Sequence, residues 1–137
     1  MINNHHATGV WISAGSASVL RWTTDLTTRL RIDSTVPGRH RSTGRAPTES
    51  QAGEQGHHDE HLRSFFAEVA NLLPAGDDLL LLGDGEVVGQ FAERIRADDR
   101  IQGRERRVEV QRSIPLTAAQ LRARTREFAG SPPRRRL

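Results

Sequence analysis

Four consecutive leucines, Leu79 to Leu82, run straight into Gly83-Asp84-Gly85, and this junction constrains the fold more than any other stretch of the chain. A run that is apolar at every position suits a strand covered on both faces, not one with a wet side. Beyond the glycines, Val87, Val88, Phe91 and Ile95 recur at helical spacing. The stretch therefore reads as buried strand, tight turn and amphipathic helix. Such a unit puts backbone N–H groups and the positive end of a helix dipole at the C-terminal edge of a sheet, where open α/β folds bind ligands. With 137 residues, 35% of them hydrophobic and 4% aromatic, the chain can fill one core, made mostly of Leu, Val, Ile and Ala around four Phe.

The flanking sequence supplies the rest of that sheet. Residues 1–9 show no periodicity and are expected to be flexible. Val10-Trp11-Ile12-Ser13 and Ala17 to Trp22 are short β-prone runs around the turn signal Ala14-Gly15-Ser16, and Leu30, Ile32 and Val36 share one face of a third run that Pro37-Gly38 stops. Residues 38–56 hold almost nothing to bury and are expected to form a disordered loop. Leu62, Phe65, Phe66, Val69, Leu72 and Leu73 then fall on a helical face, with Asp59 or His58 near the N-cap. The second helix is expected to run out near Asp98-Asp99. Arg107 to Gln111 alternates as a strand does, and Thr117-Ala118-Ala119-Gln120 is a capping box opening a last helix to Phe128. The expected fold is α/β: one domain over 10–129, a mixed sheet with an N-terminal antiparallel meander and a parallel βαβα half, covered by helices. Residues 130–137 form an Arg-rich tail.

Composition excludes several classes of function. The chain has no cysteine, so disulfides, thiolate catalysis and thiolate metal sites are out. No apolar run approaches the roughly 18 to 20 residues that span a bilayer, and the start MINNHH lacks a signal peptide's basic and apolar regions, so no membrane and a cytoplasmic location are expected. All 20 basic residues are Arg, and they are unevenly placed. Residues 57–103 carry 4 Arg against 10 acids, whereas residues 104–137 carry 10 Arg against 3. A basic end beside an acidic middle points to a polyanionic partner for the last third.

Several segments together resemble a known family. Val10-Trp11-Ile12, the loop start Pro37-Gly38-Arg39-His40, the spacing of His57, Asp59, Phe65 and Phe66, and Leu79 to Glu86 resemble small bacterial translational-machinery proteins. Those are similar to the C-terminal α/β domain of archaeo-eukaryotic release factors and of Pelota. The likeness spans Val10 to Phe128, with Asp84 standing where that family commonly has proline. The chain lacks the Gly-Gly-Gln tripeptide by which release factors trigger peptidyl-tRNA hydrolysis. The resemblance implies a non-catalytic, release-factor-like domain that associates with the ribosome or RNA.

Candidate sites follow from residue type and spacing. Arg122 and Arg126 lie one helical turn apart, and Arg107, Arg112, Arg134, Arg135 and Arg136 flank them in sequence; guanidinium matches phosphate in charge and in bidentate geometry. These are the expected RNA- or ribosome-binding residues. Gly83, Asp84, Gly85 and Glu86 form a ligand-turn candidate, although the spacing is neither the dinucleotide fingerprint nor a P-loop, and two acids would repel phosphate. A tight turn whose acids complement the helix dipole is the favoured account of them. His57 and His61, four apart, are the alternative metal pair, without the H-E-x-x-H pattern. Read this way, a small-ligand or metal-dependent enzyme and a protein–protein adaptor are the competing classes. No catalytic residue, cofactor, resident metal or obligatory small molecule is expected, and the sequence leaves the oligomeric state open.

Overall fold

In a computed structural model of the chain, residues 6–23, 27–33 and 51–130 are described, with side chains for 6–23 and 60–130. The elements run β1 (His6–Ile12), β2 (Ser16–Thr23), β3 (Thr27–Asp33), α1 (Gln51–Asn71), β4 (Asp78–Gly83), α2 (Gly85–Gln102), β5 (Val108–Arg112) and α3 (Ala118–Gly130). They form one five-stranded sheet in the order β3-β2-β1-β4-β5. The antiparallel meander is present, with Val10 opposite Val19 and Val19 opposite Leu30. The second half is parallel, with Val10 beside Leu81 and Leu81 beside Val110. The mixed α/β sheet expected from the sequence is the observed fold.

Period-2 alternation divides the sheet into two faces. Val10, Ile12, Ala17, Val19, Leu79 and Leu81 point to one, where α1 contributes Leu62, Phe65, Phe66 and Val69 and α2 contributes Val88, Phe91, Ala92 and Ile95. Phe66 and Phe91 join the two helices, their ring centroids 5.3 Å apart. Ala7, Leu20, Leu80 and Leu82 point to the other face, covered by α3 through Leu121 and Phe128. Leu79 to Leu82 are all at most 2% exposed, so every leucine of the run is used, each burial worth on the order of 1.5–3 kcal/mol. β4 is interior, but β1 occupies the middle of the sheet.

Several boundaries differ from the sequence expectation. β1 begins at His6, so residues 6–9, expected to be flexible, are sheet, and Ala7 to Gly9 are buried. Their small side chains carry no periodic signal, and pairing with β2 and β4 on both sides is what orders them. β3 covers 27–33 instead of 30–36, in the register set by Ser16 opposite Asp33; residues 34–36 lie outside the described residues. α1 starts at Gln51, so residues 51–56 are helical and neither His58 nor Asp59 is its N-cap. The helix formers Gln51, Ala52, Glu54 and Gln55 outweigh Gly53 and Gly56. The remaining loop expectation, 38–50, lies outside the described residues. The same helix ends at Asn71, which leaves Leu72 43% exposed rather than on its apolar face. α2 runs past Asp98-Asp99 to Gln102 and stops at Gly103, which takes the left-handed conformation at φ 71°. Asp99 fails to end the helix because its carboxylate is held by later arginines.

Two glycines set the approach of neighbouring elements. A Cβ at Gly9 would collide with the Thr125 hydroxyl, so α3 packs against bare backbone of β1. Gly83 has φ 154°, and a Cβ there would meet the Ile12 carbonyl, so β4 turns into α2 hard against β1.

Candidate nucleic-acid interface

The last helix opens as its sequence requires. Thr117 N–H donates to Gln120 Oε1 at 2.8 Å and Gln120 N–H donates to Thr117 Oγ1 at 3.1 Å, the reciprocal bonds of a capping box. Leu121, Thr125 and Phe128 then face the sheet, with the Thr125 hydroxyl satisfied by the Leu121 carbonyl at 2.8 Å. Arg122 and Arg126, at neighbouring positions one turn apart, are exposed on the helix's outer surface. Arg126 lies at an open groove of ≈ 720 Å³ that also includes Leu116, Gln120, Ala123, Arg124, Glu127 and Gly130.

The other arginines of the basic third go elsewhere. Arg107 donates to the Phe128 carbonyl at 2.9 Å, stacks its guanidinium 4.1 Å from the Phe128 ring centre and lies 3.5 Å from Asp78. It ties β5 to the end of α3. Arg106 makes a paired contact with Asp99 through Nε and Nη2, both 2.9 Å, and donates to the Pro74 carbonyl at 2.8 Å; Arg104 adds a bond to Asp99 at 3.3 Å. Together they anchor the end of α2. Arg112 is exposed at the C-terminal end of β5, its guanidinium against Gly85 on the face that α2 covers. The sheet therefore separates Arg112 from Arg122 and Arg126. Arg134, Arg135 and Arg136 lie outside the described residues.

The Gly83 to Glu86 turn is a β-to-α junction. Asp84 is the N-cap in extended conformation, φ −68° and ψ 135°, and its side chain makes no capping bond. Asp84 and Glu86 are exposed, with acidic charge beside the positive end of α2. Gly85 leaves room for Arg112, because a Cβ would lie 2.7 Å from its Nε. His57 and His61 both fall within α1; His61 is half-buried, and the His57 side chain lies outside the described residues. Among the described residues no group of three or more His, Cys, Asp or Glu could hold a metal ion. Ser13 accepts at its hydroxyl from the N–H groups of Gly15 and Ser16, at 3.1 and 3.2 Å, so it shapes the hairpin turn. Trp11 is half-buried beside the α3 core and donates to the Ile114 carbonyl at 3.0 Å.

One polar cluster carries no local sequence signal. Asp77, 1% exposed, accepts from Arg21 Nε at 2.8 Å and Nη2 at 3.0 Å and from the Thr8 hydroxyl at 2.9 Å. His6 Nδ1 lies 3.0 Å from Oδ1, the oxygen that also accepts from Arg21 Nη2. Burial alone would push the carboxyl's pKa up; the hydrogen bonds from Arg21 and Thr8 and the nearby positive charge outweigh it, so the net shift is downward. The cluster pins β1, β2 and the start of β4 at one end of the sheet. Its members are 56 to 71 residues from Asp77, so no motif could have revealed them.

No protein-family model matches the chain, and no curated protein sequence matches it. Among solved structures, the archaeal translation termination factor aRF1 matches with a TM-score of 0.54 at 16% identity, over 91% of this chain and 34% of that one. The chain thus spans about a third of the length of that structure, and the likeness is one of fold. Within the described residues no helix is long and apolar enough to cross a membrane.

Proposed function

We propose that this chain is a non-catalytic, translation-associated domain of release-factor type that contacts RNA phosphate, on the ribosome or on free RNA, through the outer surface of α3. The observation that supports it most is the match of nearly the whole chain to the fold of a translation termination factor. The missing Gly-Gly-Gln tripeptide supports a binding role over peptidyl-tRNA hydrolysis. Arg122 and Arg126 supply the phosphate contacts, and Arg134, Arg135 and Arg136 follow that helix in the sequence. Arg112 is a separate contact at the sheet edge, and Arg107 supports α3 from within. The site of action is the cytoplasm.

Each phosphate contact releases counterions, so affinity should fall steeply with salt. The test is ribosome or RNA affinity across a salt series for the wild type and for Arg122→Gln with Arg126→Gln, changes that keep length and helix propensity. Weaker binding to all RNA sequences alike, with a shallower salt slope, is expected, because phosphate contacts position a protein without reading bases. Identical slopes would remove α3 from the binding surface. Absence of binding at low salt would end the proposal.

A further inference from the structure

β5 is an outer strand of the sheet. Its ladder to β4 uses alternate residues: Leu79 N–H donates to the Arg107 carbonyl and Ser113 N–H donates to the Gly83 carbonyl, both at 2.9 Å. Glu109 and Gln111 are in phase with these, so their backbones also face β4. The N–H and C=O groups of Val108, Val110 and Arg112 consequently point away from the sheet. Among the described residues none of those groups has a partner. The strand contains no proline, and the devices that usually blunt such an edge reduce to its short length and two charges.

We propose that β5 pairs antiparallel with β5 of a second copy, about a twofold axis at Val110, continuing the sheet across both molecules. This register places Val108 opposite Arg112 and Val110 opposite itself, so all the outward residues fall in hydrogen-bonded pairs. The side chains are self-complementary in it. On the α2 side, valine meets valine at the axis. On the α3 side, Glu109 lies across from the second copy's Gln111. Within one copy, Gln111 donates to Glu109 at 2.8 Å and accepts from Arg124 at 3.2 Å. Pairing therefore delivers the second copy's Glu109 carboxylate to the Gln111–Arg124 pair, and no like charges stand opposite. These same residues, with Glu127 beyond Arg124, border an open groove of ≈ 460 Å³ between the β4–β5 side of the sheet and α3, so the incoming side chains have room. An unrelated strand would have to bring its own carboxylate at that position, whereas a second copy carries one at each end of the seam.

The seam is short, so the dimer should depend on concentration. Sedimentation velocity over a concentration series should show the wild type passing from monomer to dimer. Glu109→Arg and Arg124→Glu should each weaken the dimer by about tenfold or more, since each sets like charges against one another at both ends of the axis. Mixing these two variants should restore a heterodimer, in which both ends carry opposite charges. Val110→Pro should leave a monomer, because the N–H it removes points outward and contributes nothing to the β4 ladder; circular dichroism and melting would show that each variant still folds. If Val110→Pro does not fold, the mixing experiment decides alone. A wild type that stays monomeric throughout, a dimer indifferent to Glu109 and Arg124, or a mixture that fails to reassociate would each overturn the proposal. So would capture of an extended peptide along β5 by a protein that never self-associates.

Discussion

The two faces of the sheet are made from the same strands yet are closed differently. One carries two helices, three phenylalanines and a continuous apolar layer from Val19 to Val110. Among the described residues the other carries a single helix over β1 and β2, so that β4 and β5 keep a groove lined partly by Glu109, Gln111, Arg124 and Glu127. The first face is where stability is concentrated. The second combines a thinner core with exposed arginines and the outer strand β5.

Charged substitutions on the first face should separate the two most widely. Leu81→Asp or Phe65→Asp puts an unpaired charge into a site at most 1% exposed, at a cost comparable to a domain's whole stability of roughly 5–15 kcal/mol. Loss of the cooperative melting transition is the expected result. On the second face, Phe128→Ala should cost about 3 kcal/mol and leave a folded protein, since Phe128 borders the groove and neighbours can relax. If Phe128→Ala also unfolded the chain, the two faces would not differ as described.

The Asp77 pin comes next. Asp77→Ala should cost about 2–4 kcal/mol, because the buried Thr8 hydroxyl loses its acceptor while Arg21, 44% exposed at its side chain, regains water. The carboxyl's pKa is lowered in the fold, so its contribution is complete above the unfolded-state value of about 3.9 and is lost as pH falls through the folded value. Melting temperature against pH for wild type and Asp77→Asn should therefore converge toward the acid end. Parallel curves down to the lowest pH would argue against an ionised pin.

Smaller effects sharpen the second face. Gly9→Ala should lift α3 from β1 at a cost of about 1–3 kcal/mol, partly recovered by Thr125→Ala, which removes the colliding hydroxyl. Chemical denaturation of the double variant measures that coupling. Arg122→Gln with Arg126→Gln should change stability by less than about 0.5 kcal/mol, as both positions are exposed. A larger loss would show that these arginines hold α3 in place.

What the sequence determined by itself was whatever repeats at short range. The leucine run, the 3.6-residue spacing of Phe65, Phe66 and Val69, and the Thr117–Gln120 box are local patterns, and each element formed where its pattern lies. Arg122 and Arg126 were legible for the same reason, since two positions a turn apart on a helix share a face whatever the helix packs against. The tertiary structure alone decided what the long-range charges hold. Arg107 packs on the Phe128 ring and supports α3, and Asp77 gathers partners from β1 and β2. It also decided that β5 is an edge and that His6 to Gly9 are sheet. An ion pair or a strand neighbour across dozens of residues is fixed by how the layers stack, and no window of the chain contains both halves of such a contact.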